Sequence, residues 1–528
     1  SGIFKWLLGS NNQSVVRGGF GILNDYYGQQ LAVSFDLNNR LGFLSNTTTA
    51  AGTFNTNTRP GPLFTGFNMD VRTLPFIDVP ARLTFPINQP LDNARRIEQS
   101  FDENLVAPTH YNWSLTFERK MPKGLALQAA YVGRAGRNLL ATRDVMTPNN
   151  LTDPKSGLDW YTAAGILEDY RRNGTPISQI PAIPYFENLF AGIPNFARFM
   201  LGASRAGLAA NATQVVYADA FIFNGNDWTT TQSDIDGAAE ARGLPNFFYN
   251  SQYGALSSFG SIGNLNYHAA TISLRERLGS RLLLDFNYTL SHTLDDASGL
   301  QTSGAFATAF ILNPIRQKDN YANSDYDVRH LININGVWEL PLGRGRWLLH
   351  DSNKVVNGIL GGWQLSGIFR WNSGLPIFSP YDGATWATNW NAQSSGVRVQ
   401  PVESCPTRGG AGAPKLFCDP TGAYRSFRNA KPGETGDRNV LRLPGYVNLD
   451  LGLGKTFKMP WSEGHKLQIR WETFNVSNTQ RLATVDASRT GFGLVVDPQG
   501  ATPPTNWSNF TAIQGSPRVM QFGFRYDF

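Results

Sequence analysis

Two stretches of the chain concentrate side chains that could do chemistry. His292-Thr293-Leu294-Asp295-Asp296 and Asp325-Tyr326-Asp327-Val328-Arg329-His330 bring two imidazoles and several carboxylates to the ends of successive alternating segments. If those ends are neighbours, His292, Asp295, Asp325 and His330 offer the nitrogen and oxygen donors of a metal centre, or an acid–base pair. The plainer reading is a set of hydrogen bonds and ion pairs that anchors loops at a sheet rim. A third stretch, Asn224, Asn226 and Asp227 with Asp234-Ile235-Asp236-Gly237, carries oxygen ligands suited to calcium. Its spacing is not that of an EF-hand and it lacks the closing glutamate, so it reads as a solvated loop. The sequence has no G-x-S-x-G elbow, no H-E-x-x-H pair and no glycine-rich phosphate loop. The expectation is a protein that is not an enzyme and needs no cofactor.

The elements that would position these groups are strands. In the last stretch, Met520, Phe522, Phe524, Tyr526 and Phe528 occupy alternate positions, with Gln521, Gly523, Arg525 and Asp527 between them. A strand sends alternate side chains to opposite faces, so this one has an apolar aromatic face and a polar face. Lipid can cover the first and a lumen the second. The same alternation recurs about ten times. Trp113, Leu115 and Phe117 carry it, as do Leu125, Leu127, Ala129 and Tyr131, and again Leu282, Leu284, Phe286, Tyr288 and Leu290. It returns in Ile332, Ile334, Gly336 and Trp338, in Trp363, Leu365, Phe369 and Trp371, in Val447, Leu449, Leu451 and Leu453, and in Leu467, Ile469 and Trp471. Short turns are expected at 121–124, 278–281, 341–361 and 459–464, and long loops at 24–110, 134–265, 293–328, 372–443 and 477–515. Within the longest, 161–171 and 190–207 are expected to form short helices. Outer-membrane barrels sort their connections this way, with short periplasmic turns and long extracellular loops. The fold class is therefore all-β, a transmembrane antiparallel β-barrel. Glu118, Arg275, Asp285, Arg370, Asp450, Arg470 and Arg525 fall on the polar, lumen-facing side.

Composition agrees. Charged residues are 16% and aromatics 12% of the 528 residues, with 53 Gly and 30 Pro, a profile of strands joined by turn-rich loops. A formal charge of +6 spread along the chain without a basic cluster excludes nucleic acid as the expected partner. No apolar run is long enough for a transmembrane helix, and membrane strands leave only a weak hydropathy trace. No secretory signal opens the sequence, so Ser1 is expected to follow a processed leader or to lie inside a longer protein. Cys405 and Cys418 share a Gly/Pro-rich loop and would close a small disulfide ring in an oxidising compartment, the alternative being two free thiols.

Several runs resemble the Oar-like TonB-dependent outer-membrane transporters. They include Val15-Val16-Arg17-Gly18-Gly19-Phe20-Gly21, Tyr111-Asn112-Trp113-Ser114-Leu115-Thr116-Phe117-Glu118-Arg119 and Ser324-Asp325-Tyr326-Asp327-Val328-Arg329-His330. Further on come Gly362-Trp363-Gln364-Leu365-Ser366-Gly367, Glu472-Thr473-Phe474-Asn475-Val476-Ser477-Asn478 and Pro517-Arg518-Val519-Met520-Gln521-Phe522-Gly523. The resemblance implies a 22-stranded barrel in the bacterial outer membrane, closed by a plug and coupled to a TonB-type energy system. This chain would supply its C-terminal strands, with the plug and N-terminal domains outside the chain. The cargo implied is a peptide or protein, imported or exported. By the same analogy Phe522, Phe524, Tyr526 and Phe528 form the strand that the assembly machinery recognises. Further protein subunits or lipoproteins could seat on the extracellular loops. Two other classes stay open: a ten-stranded barrel enzyme such as a protease using rim carboxylates with His292 or His330, and a structural or adhesive surface barrel.

Overall fold

The computed structural model describes residues 13–27, 96–250, 253–278, 281–299, 310–383, 385–389, 392–407, 412–459, 461, 464–485 and 489–528. Ten antiparallel strands form one meander: β1 (Ser14–Asn24), β2 (Thr109–Lys120), β3 (Leu125–Asp144), β4 (Tyr253–Leu278), β5 (Leu282–Asp295), β6 (His330–Glu339), β7 (Trp363–Asn372), β8 (Tyr446–Lys458), β9 (Lys466–Phe474) and β10 (Val519–Asp527). Each pairs with the one before and the one after it, and in that path β1 and β10 are the outer members. The loops expected at 24–110 lie largely outside the described residues, as does 300–309 within the loop after β5.

Register carries the alternation across the whole sheet. Residues opposite one another on antiparallel strands share a face. One row runs Phe522, Trp471, Leu453, Leu365, Trp338, Leu282 across β10 to β5. A parallel row runs Phe286, Ile334, Phe369, Leu449. On the β1 side, Phe20 faces Trp113, and Leu115 faces Tyr131. All of these lie on one apolar face, and on β10 Phe522 and Phe524 are 69% and 71% exposed. Exposed aromatic rows on this scale need a hydrocarbon cover, so this face meets lipid. A Cβ on Gly133 would lie inside the ring of Trp113, so only glycine lets that indole lie flat on the sheet.

The connections alternate in length as expected, but two strands outrun their predicted ends. β3 has 20 residues and β4 has 26, whereas the alternation predicts a loop over 134–265 between them. A membrane strand needs only about 9–11 residues. Beyond the bilayer no single face has to stay apolar, so the alternation stops while the hydrogen-bond ladder continues. A bulge around Asn138, which has φ +57°, shifts the register between Gly136 and Leu139 and marks that change. The short strand Arg96–Phe101 adds in parallel to the upper part of β4.

Residues 145–250 fold into a helical lobe with its own core. It contains α1 (Trp160–Arg172), α2 (Pro184–Leu189), α3 (Phe196–Leu201), α4 (Ala212–Ala218) and α5 (Trp228–Glu240). Asp159, Asn211 and Asp227 cap α1, α4 and α5 with side-chain acceptors. Trp160 packs edge-on against Phe186, Trp228 and Phe248 at its centre. A second lobe, from 373–445 and 475–518, has a core of Leu416, Phe417, Tyr424, Phe427, Phe492 and Trp507. Cys405 and Cys418 are joined in a disulfide there. The lobes touch through the Arg171–Asp497 ion pair, the Lys431–Asp169 pair at 2.5 Å and a hydrogen bond from Trp228 N to Thr385 O at 3.0 Å.

Candidate functional site

The polar face of the sheet carries linked charges on neighbouring strands. Glu118 on β2 pairs with Arg17 on β1 at 3.0 Å, and Arg275 on β4 with Asp285 on β5 at 2.6 Å. Asp450 on β8 accepts from Asn448 Nδ2 at 3.0 Å and from the Asn475 amide at 2.7 Å. Arg370 stands opposite Asn333 and Asn448. Arg470 lies 3.8 Å from Glu472, which also accepts from Gln521, and Arg525 donates to Asp527 at 2.7 Å. By register, Glu118, Arg275, Asp285, Arg370, Asp450, Arg470 and Arg525 all point away from the lipid-facing rows. Most are held by a partner from the wall itself, which leaves their remaining donors and acceptors on the face opposite the lipid-facing rows.

The same face also holds an apolar strip. Leu283, Val337, Ile368 and Phe474 line a hollow of about 370 Å³ together with Asn335 and Asp450. A neighbouring hollow of about 420 Å³ is polar, lined by Glu339, Gln364, Ser366, Gln468, Arg470 and Glu472. Strand phase alone places Leu283 on the face opposite the lipid-facing row. The strip as a whole was not, because its members come from separate strands whose register the sequence does not state. Together the hollows suit a partner with both apolar and charged groups.

At the outer mouth the two clusters rich in His and Asp do come near each other, but not as a metal cage. His330 Nδ1 bonds the Tyr288 hydroxyl at 2.9 Å on the lipid-facing side, and His292 Nε2 pairs with Asn323 Oδ1 at 2.9 Å. Asp295 accepts from Arg438 at 2.7 Å and from Ser298 at 2.7 Å. Asp325 accepts from Asn439 at 2.6 Å and lies 3.5 Å from Arg438. The fully buried Asp327 pairs with Arg442 and accepts the Thr293 amide at 2.7 Å. The carboxylates are thus answered by arginines from a third segment, and the imidazoles by Tyr and Asn. Among the described residues, no group of three or more His, Cys, Asp or Glu is arranged to hold a metal ion. Sequence reading missed Arg438, Asn439 and Arg442, whose only local signal is a run of polar side chains just before β8.

The oxygen-rich stretch of the first lobe is engaged from within at every group but Asn226, whose buried side-chain oxygen and nitrogen have no hydrogen-bond partner. Asp236 accepts the amides of Phe247 and Tyr249 at 2.7 Å each, and Asp227 caps α5. Asn224 Nδ2 donates to both Asp219 and Asp234 at 2.9 Å. Burial, with the nearby Asp234 charge, pushes the Asp219 carboxyl up to about 8.

Aromatic groups ring the lipid-facing side at both rims. Near the long loops, Tyr131 bonds His268 at 2.7 Å, His268 meets Trp113 edge-on, and His330 lies 6.2 Å from Trp371. Near the short turns, His465 bonds Tyr526 at 2.8 Å and Tyr526 stacks on Phe528. Such belts sit at the two membrane–water interfaces. The family described as the outer membrane beta barrel domain matches residues 4–521. The chain belongs to this family. It is a barrel protein of the bacterial outer membrane, and its rings and lipid-facing rows follow from that setting. A comparison with curated proteins finds no match. Similar solved structures include the outer membrane transporter YddB from Escherichia coli, at TM-score 0.29 and 9% identity over 75% of this chain and 32% of that one. BauA, the ferric preacinetobactin receptor from Acinetobacter baumannii, gives TM-score 0.30 and 10% identity over 80% and 30%. The siderophore receptor PirA, also from Acinetobacter baumannii, gives 0.29 and 8% over 82% and 33%. The chain spans about a third of the length of these structures.

Proposed function

We propose that this chain forms part of the wall and roof of a TonB-dependent outer-membrane transporter of the Oar-like kind, working with a plug that lies outside the ten strands. The supporting observation is the polar face of β1 to β10, where ion pairs alternate with the apolar strip of Leu283, Val337, Ile368 and Phe474. A water-filled pore would not need that strip, whereas a folded segment packed inside the barrel would cover it. Cargo of peptide or protein size matches the two extracellular lobes, whose own cores give them surfaces large enough to grip a chain. Energy coupling through TonB and either direction of transport are part of the proposal.

The test is photo-crosslinking in the native bacterium, with the crosslinker at Ile368 in the protein expressed from its own gene. The transporter reading expects capture of a protein segment, with a yield that changes when TonB is deleted. Capture of no protein, or a yield indifferent to TonB, overturns it. The enzyme reading finds less support, because His292 and His330 are engaged by Asn323 and Tyr288 and do not face the lumenal charges. A structural or adhesive barrel draws on the lobes alone and leaves the lumenal strip without a role.

A further inference from the structure

The connection between β6 and β7 is not a plain turn. It carries α6 (Lys354–Leu360), capped by Asn353, and a preceding bend at 341–353. Trp347, Val355 and Ile359 are 83%, 71% and 59% exposed, an apolar surface left uncovered among the described residues. Where this surface lies is fixed by one lysine. Lys455 belongs to the lipid-facing row Trp363, Lys455, Ile469, Phe524. A bare ammonium on that row would be costly. Its Nζ instead donates to the carbonyls of Gly358 and Ile359 at the C-terminal end of α6, the second at 3.0 Å. Phe457 and Trp363 place their rings 4.6 and 5.8 Å from the same Nζ, and Trp363 Nε1 donates to Ile359 O at 2.9 Å. The negative end of the helix and two aromatic rings thus hide the charge, and α6 is pinned against the outer wall at its short-turn rim.

We infer that residues 347–360 form an interfacial foot inserted among the phospholipids of the periplasmic leaflet, with Lys455 as the pin that holds it to the barrel. The occupant is lipid because the apolar surface of the foot continues the lipid-facing rows of β7 and β8 at the level of the lower aromatic ring. An amphipathic segment at that depth buries its apolar side in the acyl boundary. Asn357 Oδ1 accepts the Arg344 amide at 2.7 Å and Arg346 pairs with Glu339 at 2.7 Å, on the side away from the lipid-facing rows, while His350 and Asp351 pair with each other in the exposed bend before the helix.

Both cysteines of the chain are used in the Cys405–Cys418 disulfide, so an added cysteine is unique. The test is a spin label at Val355→Cys in the full protein, reconstituted in vesicles of phosphatidylethanolamine and phosphatidylglycerol. Collisions with oxygen are expected to exceed those with a water-soluble nickel complex. Adding Lys455→Ala should reverse that ratio, and Lys455→Arg should keep it. A label in the otherwise unchanged protein that meets nickel more readily than oxygen overturns the inference. So does protection that appears only when periplasmic extract is added, since the occupant would then be a protein. The readout involves neither cargo nor TonB, so it stands apart from the transport reading.

Discussion

Arg442 offers the sharpest quantitative test of how the outer mouth is held. Its guanidinium pairs with the Asp327 carboxylate, whose side chain is fully buried, and also donates to the carbonyls of Asp327 at 2.9 Å and Gly374 at 3.1 Å. The other carboxylate oxygen takes the Thr293 amide at the top of β5. Arg442→Met would leave Asp327 charged, buried and without its cation. Breaking a buried pair from one side costs roughly 3–5 kcal/mol. Because Arg442 itself keeps some contact with solvent, the low end applies, about 3 kcal/mol. If the loss is local, that value corresponds to roughly a hundredfold faster hydrogen exchange at the linked amides. The amides to follow are those of Thr293, Ser324 and Asp327, by mass spectrometry of peptides around 290–299 and 320–330. The double variant Arg442→Met with Asp327→Asn removes the uncompensated charge and should recover most of the protection. Exchange within a few-fold of the unchanged protein, or a double variant no better than the single one, would refute the idea that charge burial holds the mouth.

Two further outcomes follow from the lobes. The Asp219 carboxyl is raised from an ordinary 3.8 to about 8 by burial and by Asp234, so its stabilising, protonated state is fully present below about pH 4 and is lost as the pH rises through about 8. The first lobe should therefore weaken between those limits by several kcal/mol, on the order of 6 for the full shift. Asp219→Asn should flatten the dependence, read as the exchange protection of 212–240 at pH 5 and pH 8.5 after correction for intrinsic rates. In the second lobe, the disulfide closes a ring with a sequence separation of 13. A ring of that size contributes about 3 kcal/mol in the loop-entropy account. Replacing Cys405 and Cys418 with Ala should destabilise the lobe by that order in a urea titration followed by limited proteolysis, while the barrel rows stay unchanged.

The sheet was legible because each membrane strand must show lipid one face and water the other. That constraint wrote Leu282 to Leu290 as a clean alternation, and the pairing of Phe522 with Trp471 and Leu453 shows the same phase kept from strand to strand. Where the constraint lapses, legibility lapses with it. β3 and β4 run on past Gly136 and below Asn264 because their ladders persist, yet their side chains are then chosen by the lobes they meet. The mouth shows a different limit. His292, Asp295, Asp325 and His330 were visible as chemically capable residues, but the groups that answer them, Arg438 and Arg442, lie more than a hundred residues further on. Pairing over that distance is set by tertiary packing, which leaves no local periodicity. The short helix α6 went unread for a related reason: seven residues give too little pattern, and its role comes from Lys455 on another strand.

The overrun of β3 and β4 sets how far from the bilayer the first lobe is held. With 20 residues in β3 and about 9–11 needed to cross the bilayer, roughly ten remain. At about 3.3 Å each and some tilt, they raise the lobe on the order of 25–30 Å above the hydrocarbon. Because the support is a paired ribbon with further short strands added beside it, the stand-off is stiff. The first lobe is thus a platform at fixed height, tied by one hydrogen-bonded ladder to the wall of the barrel.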